Sequence, residues 1–205
     1  MLGKARHIRL TASILVASVV ALAGLQSQPV QDAWAAESGK QSAAKKGKPG
    51  ADPVVVMETT KGTIKIKVFT GEAPITANNF VDLVQRGFYN GLKFHRYEPG
   101  FVIQGGDPNG NGTGGFVDPS THQERTIPLE KKPGLRHDSK GVVAMARSSN
   151  PNSASSQFYI TLGPASFLDD PPGYAVFGKV VDGMPVVEEL RAGDKMTKVA
   201  VGDGK

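Results

Sequence analysis

Gly110, Gly112 and Gly115 stand at G-x-G-x-x-G spacing inside QGGDPNGNGTGG, residues 104–115, a pattern able to cradle a dinucleotide pyrophosphate. That chemistry needs a strand in front and a helix directly behind, because the helix N-terminus holds the anion. Phe101 to Gln104 reads as the strand. The following FVDPSTHQERTIP carries Pro119 and Pro128 and shows no amphipathic period. The helix is missing, and the anion-binding end is missing with it. A Walker loop fails as well, for want of Gly-Lys-Ser/Thr.

Hydrolytic and metal chemistry find no better footing. The serine-rich RSSNPNSASSQ, residues 147–157, lacks a G-x-S-x-G elbow. His95, His122 and His137 form no i,i+4 ligand pair and no acidic cluster at metal spacing, so ordinary surface or core roles are expected for each. Glu188-Glu189 reads as a solvated helix face, and no carboxylate pair stands out for acid–base work. The chain has no cysteine, which removes disulfides, thiolate metal sites and thiol nucleophiles. No metal and no cofactor is expected. What remains is a cation among apolar groups. Arg96 lies between Phe94 and Tyr97, followed by Phe101, Val102 and Gln104, then by Gln157-Phe158-Tyr159 and Phe167-Leu168. Taken singly, these read as core residues, with Arg96 a snorkelling surface charge.

The elements that must position these residues are mostly strands. Val54 to Met57 leads through Lys61-Gly62 into Thr63 to Phe69, which alternates polar and apolar at period two, a hairpin with one wet face. Pro74 opens a helix whose Ala77, Phe80, Val81 and Val84 share a face, and Gly87 stops it. Leu92 to Tyr97 and Phe101 to Gln104 are short strands joined through Glu98-Pro99-Gly100. Gly141 to Arg147, Gln157 to Leu162, Tyr174 to Val181 and Met196 to Val201 are further strands. Asp182-Gly183 and Pro185 introduce a short helix through Leu190. Strands are not interleaved one-to-one with helices, so the expectation is a mainly β domain: a closed eight-stranded antiparallel barrel with two α-helices. Gly105 to Lys140 shows little sign of order beyond Ile127-Pro128-Leu129.

Ahead of this domain the composition changes twice. Lys4, Arg6 and Arg9 precede an uncharged apolar run, Thr11 to Leu25, and Ala33-Trp34-Ala35 offers a small-x-small cleavage site. Residues 1–35 therefore read as an export signal, or, if uncleaved, as an N-terminal anchor that alone would bring membrane contact. The run is shorter than the roughly 20 residues a bilayer span needs. Residues 36–52 are small, polar and lysine-bearing, a flexible linker, and residues 53–205 form the folded domain. The destination is outside the cytoplasm: periplasm, cell envelope or a thylakoid lumen. The formal charge of +5 falls to +3 once residues 1–35 are set aside, which is no case for a nucleic-acid partner. Nothing in the pattern demands more than a monomer.

Order along the chain is more specific than any one motif. Phe94-His-Arg-Tyr-Glu-Pro-Gly-Phe-Val-Ile-Gln-Gly-Gly-Asp107, followed by Asn111-Gly-Thr-Gly-Gly115, resembles the signature of the cyclophilins, peptidyl-prolyl cis–trans isomerases. Gly141-Val-Val-Ala-Met-Ala-Arg147, Ser155-Ser-Gln-Phe-Tyr-Ile160 and Tyr174-Ala-Val-Phe-Gly-Lys-Val180 resemble further blocks of that family, in the same order. The resemblance spans Pro53 to Val201 and implies an eight-stranded barrel capped by two helices, with its site on an outer face. By that resemblance Arg96 is the catalytic arginine, and Phe101, Val102, Tyr159, Phe167 and Leu168 line a proline pocket edged by Tyr174. Gln104 and the backbone at Arg147 bind peptide, while Gly112, Ala146, Ser148 and Gln157 shape the adjoining groove.

The implied function is acceleration of X–Pro rotation in folding exported proteins, with proline-containing segments as partners. The alternative is a peptide-binding chaperone module with little catalysis; the retained Arg96 speaks against it. Val102 stands where methionine is common, Tyr159 where phenylalanine is usual, Arg147 where many eukaryotic members have asparagine and Tyr174 where they have histidine. Phe167 replaces their tryptophan and implies weak cyclosporin binding, since the indole N–H is absent.

Overall fold

A computed structural model describes residues 52–202. The export signal and nearly all of the linker expected from the sequence lie outside the described residues. The first hairpin is formed as its alternation predicts. Strands β1 (Val54–Thr59) and β2 (Gly62–Val68) pair antiparallel with Thr59 opposite Gly62. Val55 and Met57 from β1 meet Ile64, Ile66 and Val68 from β2 in the core.

Helix α1 (Pro74–Gln85) begins at proline, whose fixed φ suits the first turn and whose missing N–H is not needed there. It buries Ala77, Phe80, Leu83 and Val84. Gly87, at φ 69°, ends it: its N–H donates to the Val84 carbonyl at 2.9 Å, and that of Phe88 to the Leu83 carbonyl at 3.0 Å. This pair of bonds is a Schellman motif, which needs a left-handed residue where Gly87 stands. Phe80 carries the helix into an aromatic cluster, with ring centroids 4.9 Å from Phe177, 5.2 Å from Tyr89 and 5.4 Å from Phe158.

The remaining strands are β3 (Arg96–Glu98), β4 (Val102–Gly105), β5 (Val117–Asp118), β6 (Gln123–Glu124), β7 (Val142–Met145), β8 (Phe158–Thr161), β9 (Val176–Asp182) and β10 (Met196–Val201). A 3-10 turn, Ser166–Asp169, lies between β8 and β9, and helix α2 (Met184–Glu189) lies between β9 and β10. Eight strands form one antiparallel sheet in the order β10-β1-β2-β9-β7-β8-β4-β3.

The ladder is open where a closed barrel was expected, since β3 and β10 do not pair with each other. Its edges meet instead at a short seam just ahead of β3. There Lys93 bridges Lys195, the Phe94 N–H donates to the Asp194 carbonyl at 2.8 Å, and the Met196 N–H donates to the Leu92 carbonyl at 2.8 Å. From His95 onward the chain turns its hydrogen bonds to β4, while β10 continues along β1, so the seam ends there.

Gly105 to Lys140 is more ordered than the sequence suggests. It holds the β5–β6 ribbon, and buried Phe116 and Ile127 pin it to the core. Side chains organise it: Phe116 N–H donates to the Ser155 hydroxyl at 3.0 Å, and Arg125 meets Asp82 of α1 at 2.6 Å. Polar side chains reaching backbone over long sequence separation leave no periodic trace.

Candidate active site

Strands β7 and β8 are buried on both faces, and β4 is buried except at Gln104. One set of side chains, including Ile103, Val143, Met145, Phe158 and Ile160, joins the main core. The other set, Val102, Val142, Ala144 and Tyr159 with Val176 of β9, forms a second apolar cluster of its own. Phe101, Leu135, Ala146, Leu168 and Tyr174 pack against that second cluster from the loops.

Register delivers the polar groups to its edge. Arg96 lies opposite Gln104, and Gln104 lies opposite Tyr159. Residues directly opposite in a ladder project from the same face, so the three form one row across β3, β4 and β8. Arg96 Nη1 stands 3.4 Å from Gln104 Oε1, its Nε stands 3.4 Å from Glu98, and its guanidinium carbon lies 5.9 Å from the Phe101 ring centroid. The guanidinium is half-exposed, so these contacts orient it more than they neutralise it.

Phe167, on the 3-10 turn, is 60% exposed with its ring centroid 5.4 Å from that of Phe101. Five of the residues implied for the proline pocket therefore come together: Phe101, Val102, Tyr159 and Leu168 around the second cluster, and Phe167 over Phe101. Tyr174 packs against the same cluster, edge-on to Tyr159 with centroids 5.9 Å apart.

Beside this patch runs a cleft of about 310 Å³. Its lining includes all six residues implied for peptide contact or groove shape: Gln104, Gly112, Ala146, Arg147, Ser148 and Gln157. Gln157 Nε2 donates to the Gly112 and Gly114 carbonyls at 3.1 and 2.8 Å, and its Oε1 accepts from Gln104 Nε2 at 2.9 Å. Arg147 folds back on the chain. Its Nε and Nη2 donate to the Gly173 carbonyl at 3.0 and 2.7 Å, with its guanidinium carbon 4.5 Å from the Tyr174 ring centroid.

Three contributors were not singled out by sequence reasoning. His137 is fully buried under the patch, with Nε2 at 2.8 Å from the Tyr159 hydroxyl and Nδ1 at 2.7 Å from Asp169. A core role was one of the two expected for it; its contact with the pocket floor was not. Burial pushes the Tyr159 phenol up, so it stays a neutral donor. Burial would also raise Asp169, but hydrogen bonds from the His137 ring and backbone hold its carboxyl below the usual carboxylate range. Asp107, the third, accepts four backbone N–H groups of the glycine loop. The Gly-Gly-Asp-Pro-Asn-Gly run, a short carboxylate entering a turn, was the available signal for it.

The glycine loop matches this role and not a phosphate cradle. No helix follows it, and its N–H groups are already spent on Asp107. Gly112, at φ 91°, takes a conformation that side-chain-bearing residues resist. A Cβ on Gly114 would collide with the Asp107 carboxylate.

This fold recurs among known proteins. Residues 54–202 match the family model for cyclophilin type peptidyl-prolyl cis-trans isomerases. A peptidyl-prolyl cis-trans isomerase-like 1 protein of Rhizopus delemar is 43% identical over 136 residues, covering 66% of this chain and 78% of the fungal protein. A peptidyl-prolyl cis-trans isomerase of Acinetobacter baylyi is 42% identical over 145 residues, covering 68% and 72%. A crystal structure of a Cryptosporidium parvum cyclophilin type isomerase, obtained in the presence of the dipeptide Ala-Pro, superposes with a TM-score of 0.63 at 30% identity, covering 73% of this chain and 98% of that one. With the fold and the matched span in agreement, this chain belongs to the cyclophilin-type peptidyl-prolyl cis–trans isomerases.

Proposed function

We propose that the chain accelerates rotation about X–Pro bonds in exported proteins by stabilising the twisted amide with Arg96 beside an apolar proline pocket. One observation carries the mechanism: a permanently charged donor, Arg96, sits in register with Gln104 at the edge of the cluster formed by Val102 and Tyr159.

An amide resists rotation by about 18–20 kcal/mol because the nitrogen lone pair is delocalised into the carbonyl. Twisting the bond returns the lone pair to nitrogen, where the guanidinium can donate to it. Planar cis and trans forms offer no such acceptor, so the interaction favours the transition state alone. A charge-assisted hydrogen bond is worth roughly 1.5–3 kcal/mol, or about ten- to a hundredfold in rate. The rest comes from holding the ring still in the pocket of Phe101, Val102, Tyr159, Phe167 and Leu168. Gln104 steadies the flanking carbonyl as it swings.

The destination rests on Lys4, Arg6, Arg9 and the apolar run Thr11 to Leu25. Clients are proline-containing segments of proteins folding in the same extracytoplasmic compartment. The chain works as a monomer and, with Phe167 in place of an indole, binds cyclosporin weakly.

An NMR-exchange or protease-coupled isomerisation assay on the exported protein tests the activity. Acceleration over the uncatalysed rate is expected; binding of proline peptides without acceleration would make it a chaperone module. N-terminal sequencing of the protein recovered from the envelope fraction tests export. An intact Met1 in the cytosol would reject it.

A further inference from the structure

We propose that Asp107 is a positioning residue for the reaction: it shapes the glycine loop so that the Gln157 and Gln104 amides each face one way, leaving an acceptor toward Arg96. The inference rests on the isomerase reading and assigns a role to the loop that reading leaves unused.

Asp107 is 1% exposed, and its carboxylate accepts the N–H groups of Asn109 at 2.8 Å, Asn111 at 2.8 Å, Gly112 at 2.5 Å and Gly114 at 3.0 Å. These bonds fix the peptide planes on either side of the Gly112–Thr113 peptide, whose own N–H donates to Asn111 Oδ1 at 3.1 Å, and Gly110 and Gly112 accommodate the result at φ 63° and 91°. The Gly112 and Gly114 carbonyls then both meet Gln157 Nε2. Both amide hydrogens of Gln157 are thereby used, so only its Oε1 is left for Gln104. Gln104 must answer with Nε2, at 2.9 Å, which leaves Oε1 on its other side, 3.4 Å from Arg96 Nη1.

The polarity of this chain is determined, not arbitrary. Arginine has five donors and no acceptor. A reversed Gln104 would set its NH₂ against the guanidinium and its oxygen against the Gln157 oxygen. Each amide orientation therefore depends on the one before it, back to the loop carbonyls and the carboxylate that turns them. One amide hydrogen of Gln104 stays unassigned, available to a substrate carbonyl. Burial works against the charge on Asp107, but the Asn109, Gly112 and Asn111 N–H groups outweigh it and hold the carboxyl below the usual range, so the acceptor is intact at neutral pH.

Asp107→Asn in the full chain sets an NH₂ against the loop donors, and Gln157→Leu breaks the relay at its midpoint, removing both the donors to the loop carbonyls and the acceptor for Gln104, while leaving the loop acid in place. Line-shape analysis of a proline peptide at varied concentration is expected to show kcat reduced about three- to tenfold in both, with KM unchanged. The ¹⁵N–¹H signals of Arg96 Nε and the Gln104 side-chain amide are expected to shift in both. In a Gln104→Leu background, where the relay is already cut, adding Asp107→Asn is expected to cost nothing further in kcat. Unchanged kcat with unmoved Arg96 and Gln104 signals would overturn the proposal, as would equal losses in kcat and KM. Should Asp107→Asn not fold, Gln157→Leu decides by the same criteria. A wild-type chain without isomerase activity would remove the catalytic reading, whereas unmoved Arg96 and Gln104 signals in the variants would remove the relay alone.

Discussion

The Tyr159 hydroxyl stands 2.8 Å from Nε2 of the fully buried His137, so the floor of the apolar patch hangs on a polar contact beneath it. Asp169 takes Nδ1 at 2.7 Å and also accepts the His137 backbone N–H. In the neutral ring this puts the hydrogen on Nδ1 and makes Nε2 the acceptor for the phenol. Tyr159→Phe removes the hydroxyl and leaves that nitrogen unsatisfied, at a cost of about 1–2 kcal/mol. The apolar ring surface survives, so isomerase activity is retained. His137→Ala orphans both partners and opens a cavity, costing about 3 kcal/mol. Urea titrations of the two variants check the ranking; equal costs would show that the contact with Tyr159 is the whole of the effect.

Arg96→Ala should lower turnover about ten- to a hundredfold while changing peptide affinity little, because the lost hydrogen bond forms only with the twisted amide. Arg96→Lys keeps the charge without the planar fork and should fall between. NMR exchange at several peptide concentrations separates the two parameters. Equal losses in binding and turnover would remove the assigned role.

Phe167 is exposed and stands as the outer wall of the proposed pocket. Phe167→Trp adds an indole N–H there, and cyclosporin is expected to bind about tenfold more tightly, the worth of one added hydrogen bond. Titration calorimetry reads this directly. No gain would mean that position 167 does not meet the drug's acceptor.

The Asp107 carboxyl is held below its ordinary value in the folded state. A depressed carboxylate contributes stability that is fully present above its unfolded pKa of about 3.9 and is lost as pH falls through the folded value. The stability gap between wild type and Asp107→Asn should therefore be constant from neutral pH to about pH 5 and shrink below about pH 4. Thermal unfolding of both across that range tests it. A gap that persists unchanged to pH 2 would mean that the charge is not what the loop uses.

Much of the molecule was legible along the chain. Period-two alternation in Thr63 to Phe69 located β2, and the apolar run near Gly141 located β7, because burial of one face or both leaves a direct composition trace. Pro74 and Gly87 marked both ends of α1 by backbone geometry that few other residues supply. The candidate site was marked by family blocks more than by chemistry, since a reaction that breaks no bond needs no nucleophile or metal to announce it. His137 and Asp169 stayed hidden: they are 32 residues apart, and a lone histidine in a polar stretch looks like surface.

The glycine pattern shows where the division falls. The sequence by itself determined that the loop could not hold a phosphate, because no helix follows Gly115, and that Arg96 and the apolar blocks belong to one domain. Only the tertiary structure decided that Arg96, Gln104 and Tyr159 stand in one row, that the sheet's edges meet at a seam instead of a ladder, and that Asp107 gathers four N–H groups of the loop. The physical reason is range. Periodicity records which face of an element is buried, a local property, whereas register and side-chain partners are set by pairings between segments distant in the chain.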